Sequence, residues 1–166
     1  MRKIVRLGVL GAVVLMSPLT TALAAKTAST AMPRALQGIW FVPEGGISKG
    51  CERYLALPPQ ADPDERINSL VSSIVIAPKL IHSVAEYGEG NFYALKRVVK
   101  SGRNAWQISA ALTLDTQGDD GEPPKMTSLT LSLNGNRLTI SETGSKDGPY
   151  VTSGLVKCTP KLPTGY

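Results

Sequence analysis

The chain predicts an all-β protein, an antiparallel β-barrel or strongly curved sheet of about eight strands. Three observations carry that reading. Apolar and polar residues alternate with period two, most clearly from Trp106 to Asp115, so one face of an extended segment is buried. Gly, Pro, Asn and Asp clusters punctuate the chain every 8–12 residues or so, and no long amphipathic helix interrupts them. The only two cysteines, Cys51 and Cys158, lie 107 positions apart, as expected where a last strand returns beside a first.

Before the β pattern begins, the chain carries an export signal. Arg2, Lys3 and Arg6 precede the apolar run from Leu7 to Met16, and the small residues Ala22-Leu23-Ala24 follow. This order of charged, apolar and A-x-A segments reads as a signal peptide over residues 1–24. The apolar run is shorter than the ~20 residues that span a bilayer, and no cysteine near the cleavage point offers a lipid anchor. A periplasmic or secreted location follows, with no transmembrane segment left after cleavage. Removing the signal leaves 142 residues, with 15 basic against 13 acidic side chains, a net charge of +2 instead of +5. That near-balance and an exported location argue against nucleic acid as a partner. Residues 25–34, small and polar with one proline, read as a flexible lead-in. Residues 35–166 form a single β domain.

Within the domain the strands are expected at 38–42, 52–57, 71–77, 80–87, 92–100, 106–115, 129–133, 137–141 and 150–158. Asp62-Pro63-Asp64-Glu65 combines an N-cap, a proline suited to the first helical position and an acidic first turn, so a short helix is expected over 63–70. Between Leu133 and Arg137, Asn134-Gly135 suits a type I′ turn. That turn pairs Leu131 with Leu138 and Leu129 with Ile140, placing every apolar residue on one face. In an oxidising compartment Cys51 and Cys158 have one possible internal partner each, and a structural disulfide is the reading. Nothing resembles the C-x-x-C of a redox or metal pair.

The segment Leu36-Gln37-Gly38-Ile39-Trp40, followed by Cys51, resembles the opening of lipocalin-like (calycin) barrels, which includes small bacterial periplasmic protease-inhibitor barrels. The resemblance implies that Gly38 and Trp40 form the barrel floor, with the tryptophan closing it. It rests on G-x-W and a following cysteine; the lipocalin T-D-Y segment is absent, and those inhibitors pair their cysteines over a short span.

Several constellations were weighed for chemistry. Gly46-Ile47-Ser48-Lys49-Gly50 fits G-x-S-x-G, but that nucleophile requires a strand–turn–helix in an α/β setting, and the surroundings read as a glycine-rich loop. His82 is the only histidine, which excludes a His-rich metal site; it reads as a strand residue. Asp115, Asp119, Asp120 and Glu122 do not have calcium-loop spacing. Lys96, Arg97, Lys100 and Arg103 cluster at a turn and could contact an anionic partner, although such clusters also keep sheet edges soluble. The aromatic residues, none between Trp106 and Tyr150, read as core. No metal, cofactor or catalytic residue is expected, and the chain is read as a monomer without enzyme activity. Two function classes remain. One is a binding or inhibitor protein acting on a periplasmic or extracellular protein through its polar loops, 43–50 and 116–125. The alternative is a carrier of a small apolar ligand inside the barrel, whose interior can hold one such molecule.

Overall fold

A computed structural model of the chain describes residues 28–43, 49–114, 123–143 and 150–166. In chain order the elements are β1 (Ala28–Ser29), β2 (Gly38–Phe41), α1 (Lys49–Ala56), α2 (Pro63–Asn68), β3 (Ser73–Ile76), β4 (Leu80–Val84), a 3-10 turn (Glu86–Gly88), β5 (Gly90–Gly102), β6 (Ala105–Leu114), β7 (Lys125–Asn134), β8 (Arg137–Thr143) and β9 (Tyr150–Thr159). From β2 to β9 each strand pairs antiparallel with its successor, and β9 returns to pair with β2. The result is a closed, eight-stranded up-and-down barrel, the architecture expected of a calycin-like protein. Closure removes the sheet edges that would otherwise remain unpaired. Register shifts at Ile39/Trp40, Leu95/Arg97, Lys100/Gly102 and Leu138/Ile140 supply the local bends a small barrel needs.

The alternation read from the sequence sorts residues between interior and wall. Trp106, Ile108 and Ala110 on β6 point inward with Leu129 and Leu131 on β7, Leu138 and Ile140 on β8, and Leu155 on β9. Each fully buried leucine or isoleucine contributes about 1.5–3 kcal/mol through loss of apolar surface to water. A second apolar cluster lies outside the barrel. There Ile39, Phe41, Val75 and Val84 on the strands meet Cys51 and Tyr54 of α1, Leu70, and Leu162 and Tyr166 of the C-terminal tail. The Cys51–Cys158 disulfide joins α1 to β9 across this outer layer.

Three expectations are corrected. Residues 52–57, expected as a strand, belong to α1 up to Ala56. Lys49 to Leu57 contains no β-branched residue, and Cys51 and Tyr54, one helical turn apart, are the buried pair. The β7–β8 turn is Gly135-Asn136, and it pairs Leu133 with Leu138 and Leu131 with Ile140. Of its two central residues only Gly135 has positive φ, at 60°, which is the II′ pattern in place of I′. The slip is two residues, so the apolar face is unchanged. Leu114, last in the alternating run, is 56% exposed at the strand end. Before the domain, Ala28 and Ser29 pair with Val99 and Val98, and Met32 is buried with its N–H donated to Pro78 O at 2.7 Å. The expected helix over 63–70 is α2, capped by the Asp62 carboxylate, which accepts from Asp64 N at 2.8 Å.

Candidate functional site

The barrel has two unlike ends. At the floor, the turn after Met32 brings Leu36 beneath the strands, and Trp40 Nε1 donates to Leu36 O at 2.8 Å. Lys157 Nζ lies 4.9 Å from the Trp40 ring centroid and donates to Ala35 O at 2.6 Å. Burial lowers the Lys157 pKa from its ordinary value. Gly38 is fixed at φ 132°, and a Cβ there would sit 2.3 Å from Thr159 O, so β2 and the end of β9 approach closely only because this residue lacks a side chain. Gly38 and Trp40 thus sit in the closed end of the barrel.

The opposite end is the mouth, where the β2–β3, β4–β5, β6–β7 and β8–β9 connections emerge. Just inside it Glu142 accepts hydrogen bonds from Tyr93 Oη at 2.9 Å and Thr127 Oγ1 at 2.8 Å. Burial, reinforced by the bond to Glu142, holds the Tyr93 hydroxyl well above its ordinary pKa, so it remains a donor. The gap that Tyr93 and Glu142 share with Ile74, Ile81 and Ile140 measures about 20 Å³, which is room for about one water.

A larger hollow lies outside the barrel. α2, the loop before it and the C-terminal tail enclose a groove of about 500 Å³ with His82 and Phe92 at its base. His82 is 2% exposed because β4 turns it toward the outer layer, where its ring stacks on Phe92 at 3.8 Å between centroids and on Tyr166 at 5.7 Å. Nε2–H donates to Glu89 O at 3.0 Å, leaving Nδ1 to accept from the Tyr166 hydroxyl. Burial lowers the His82 pKa, although the bond to Glu89 O acts in the other direction. The Tyr166 hydroxyl is itself pushed up to about 12 by burial. Both ring nitrogens are therefore committed to partners, with the imidazole neutral near pH 7. The sequence placed His82 on a strand, but gave no sign that the chain's last residue would cover it.

Lys96, Arg97, Lys100 and Arg103 are all exposed along β5 and the following turn. The shift at Lys96 matters here: it puts Arg97 opposite Ser109 on the outer wall, where simple alternation would have given it the inward face of Leu95. Arg97 borders a hollow of about 290 Å³ lined by Gln107, Ser109, Ser128, Thr130 and Thr143. Ser48 of the candidate motif, the acidic residues 115–122 and the signal peptide lie outside the described residues; Lys49 and Gly50 of that motif begin α1 where a loop was expected. Among the described residues, no group of three or more His, Cys, Asp or Glu is placed to hold a metal ion, and no helix is long and apolar enough to cross a membrane. In comparisons with known protein families, curated proteins and solved structures, nothing matches the chain.

Proposed function

We propose that this chain is an exported, non-catalytic calycin-like protein that binds or inhibits another protein through the mouth of its barrel. The observation that carries this reading is the distribution of exposed apolar side chains. Val42, Tyr87, Leu114, Met126, Tyr150 and Val151 are all exposed, from 41% for Val42 to 81% for Tyr87. Each lies at a strand end or turn at the mouth. The other large exposed apolar residues among those described, Leu55 and Ile67, are on the helices between β2 and β3. A rigid scaffold with apolar side chains gathered at one end is the usual form of a recognition surface. The disulfide supports an oxidising location, and the signal-like N-terminal pattern supports export to the periplasm or beyond. The carrier alternative is weakened by the tight packing around the mouth gap, which holds about 20 Å³, far below the volumes of small-molecule pockets.

The test is site-specific photocrosslinking in the native host. A photoreactive residue replaces Met126 or Tyr150 at the mouth, and Lys79 or Asn136 at the floor. The proposal expects one recurrent protein adduct from the mouth positions and none from the floor positions. Equal crosslinking from both ends would refute it.

A further inference from the structure

We infer that the groove between α2 and the C-terminal tail is a binding site for a small apolar carboxylate. Its volume of about 500 Å³ falls in the range of small-molecule sites, which combine apolar walls with a few placed polar groups. α2 presents Pro63, Arg66 and Ile67 to the groove, positions i, i+3 and i+4 that share one helix face, and Leu70 adds to this wall just beyond the end of the helix. Asp64 instead lines an adjacent surface on the other side of Ile67, with Asn68 and Tyr87. The facing wall is Pro163 and Tyr166, so prolines stiffen both sides and reduce the ordering that a ligand would have to impose.

The ligand's charge follows from Arg66, among the described residues the one Lys, Arg, Asp or Glu side chain lining the groove. One terminal nitrogen of its guanidinium donates to Pro58 O at 2.7 Å and to Pro59 O at 3.3 Å, which fixes the fork in place. Among the described residues its partners are these two carbonyls and no carboxylate. An arginine has five N–H donors, so donors remain beyond those spent on the two carbonyls. A guanidinium matches the planar geometry of a carboxylate. A single fixed cation beside apolar walls suits a monoanion, because a second negative charge would be desolvated without a partner. This site is separate from the mouth and does not depend on the protein partner proposed there.

The experiment is an amide NMR titration of the mature, oxidised protein with octanoate and, separately, with 1-octanol. The proposal expects octanoate to shift the amides of Ile67, Leu70 and Tyr166, and to bind about tenfold more tightly than the uncharged alcohol. Arg66→Gln should bring the two affinities together. Thr164→Trp, which fills the groove from the tail while leaving Arg66 in place, should abolish both. The inference is overturned if the two ligands bind the wild type equally, or if the shifts map to Tyr150 and Val151 at the mouth. It is also overturned if Arg66→Gln retains the preference. Should Arg66→Gln fail to fold, the wild-type comparison and Thr164→Trp decide the matter.

Discussion

Replacing Tyr166 with phenylalanine removes a single hydroxyl and keeps the ring that stacks on His82. In the wild type that hydroxyl donates to Nδ1 of a histidine that is 2% exposed. The variant therefore leaves a buried acceptor without a donor, at a cost of about 1–3 kcal/mol. For a domain of this size each kcal/mol lowers Tm by roughly 3 °C, so a fall of about 3–10 °C is expected by calorimetry. A pH dependence accompanies it. Burial holds the folded His82 below the ordinary value of 6.5, so above pH 6.5 both folded and unfolded chains carry it neutral. As pH falls through 6.5 toward the folded value, the unfolded chain takes up the proton first. The stability associated with neutral His82 is lost over that window and stays lost below it. The side chains around the ring are Phe92, Tyr166 and, across the groove, Arg66, beside the Glu89 carbonyl; among the described residues no Asp or Glu side chain lines the groove to favour the charged form. Tyr166→Phe removes a donor to the neutral ring, so its His82 pKa moves up toward 6.5 and the pH dependence becomes shallower. The Hε1 resonance of the only histidine reports this directly, beside urea unfolding at pH 5 and 7.5. A wild-type His82 that titrates above 6.5 refutes the reasoning, as does a variant with unchanged Tm and unchanged titration.

The remaining predictions concern the outer layer and the floor. Gly50→Ala places a Cβ 2.5 Å from Cε1 of Phe41, whose ring is 2% exposed; the clash outweighs the helix propensity gained, and the urea midpoint should fall by an amount equal to about 1–3 kcal/mol. A rise in the midpoint would mean that α1 stands further from the wall. Cys51→Ser with Cys158→Ser opens a loop of 107 residues and should remove up to ~4–5 kcal/mol on the chain-entropy account, measured as the difference between the oxidised wild type and the variant in urea. Met32→Ala should cost about 2–5 kcal/mol, because Met32 is 2% exposed beneath the barrel; a change below 0.5 kcal/mol would mean that Met32 adds little to the floor.

The barrel was legible wherever a single strand carried its own pattern. From Trp106 to Leu112 and from Leu129 to Leu133 the inward residues could be named from period two alone, because each strand sits half in the core and half in contact with water. The β2 segment carried no such signal: all four residues of Gly38–Phe41 are buried, since α1 and the tail cover the outside while the core fills the inside. A strand buried on both faces loses its alternation. The same cover explains why α1 was misread. Its buried face is short, limited to Gly50, Cys51 and Tyr54, and the disulfide supplies much of its attachment.

The groove shows why a site can be less legible than its fold. Its parts come from α2, β4, β5 and the tail, and the His82–Tyr166 contact joins residues 84 positions apart. No local period encodes such a pair. It arises because β9 ends at the floor beside β2, and the tail after it crosses the outer wall to reach β4. Two features were nonetheless present in the sequence: Arg66 stands one turn from Pro63 on a helix that Asp62 caps, with Leu70 just beyond its end, and two prolines precede that helix at positions 58 and 59. Together they mark a fixed, positively charged helix face in an otherwise polar connection. Only the closure of the barrel reveals that an aromatic wall stands opposite it, and that opposition is what turns a surface arginine into a candidate receptor for an apolar anion.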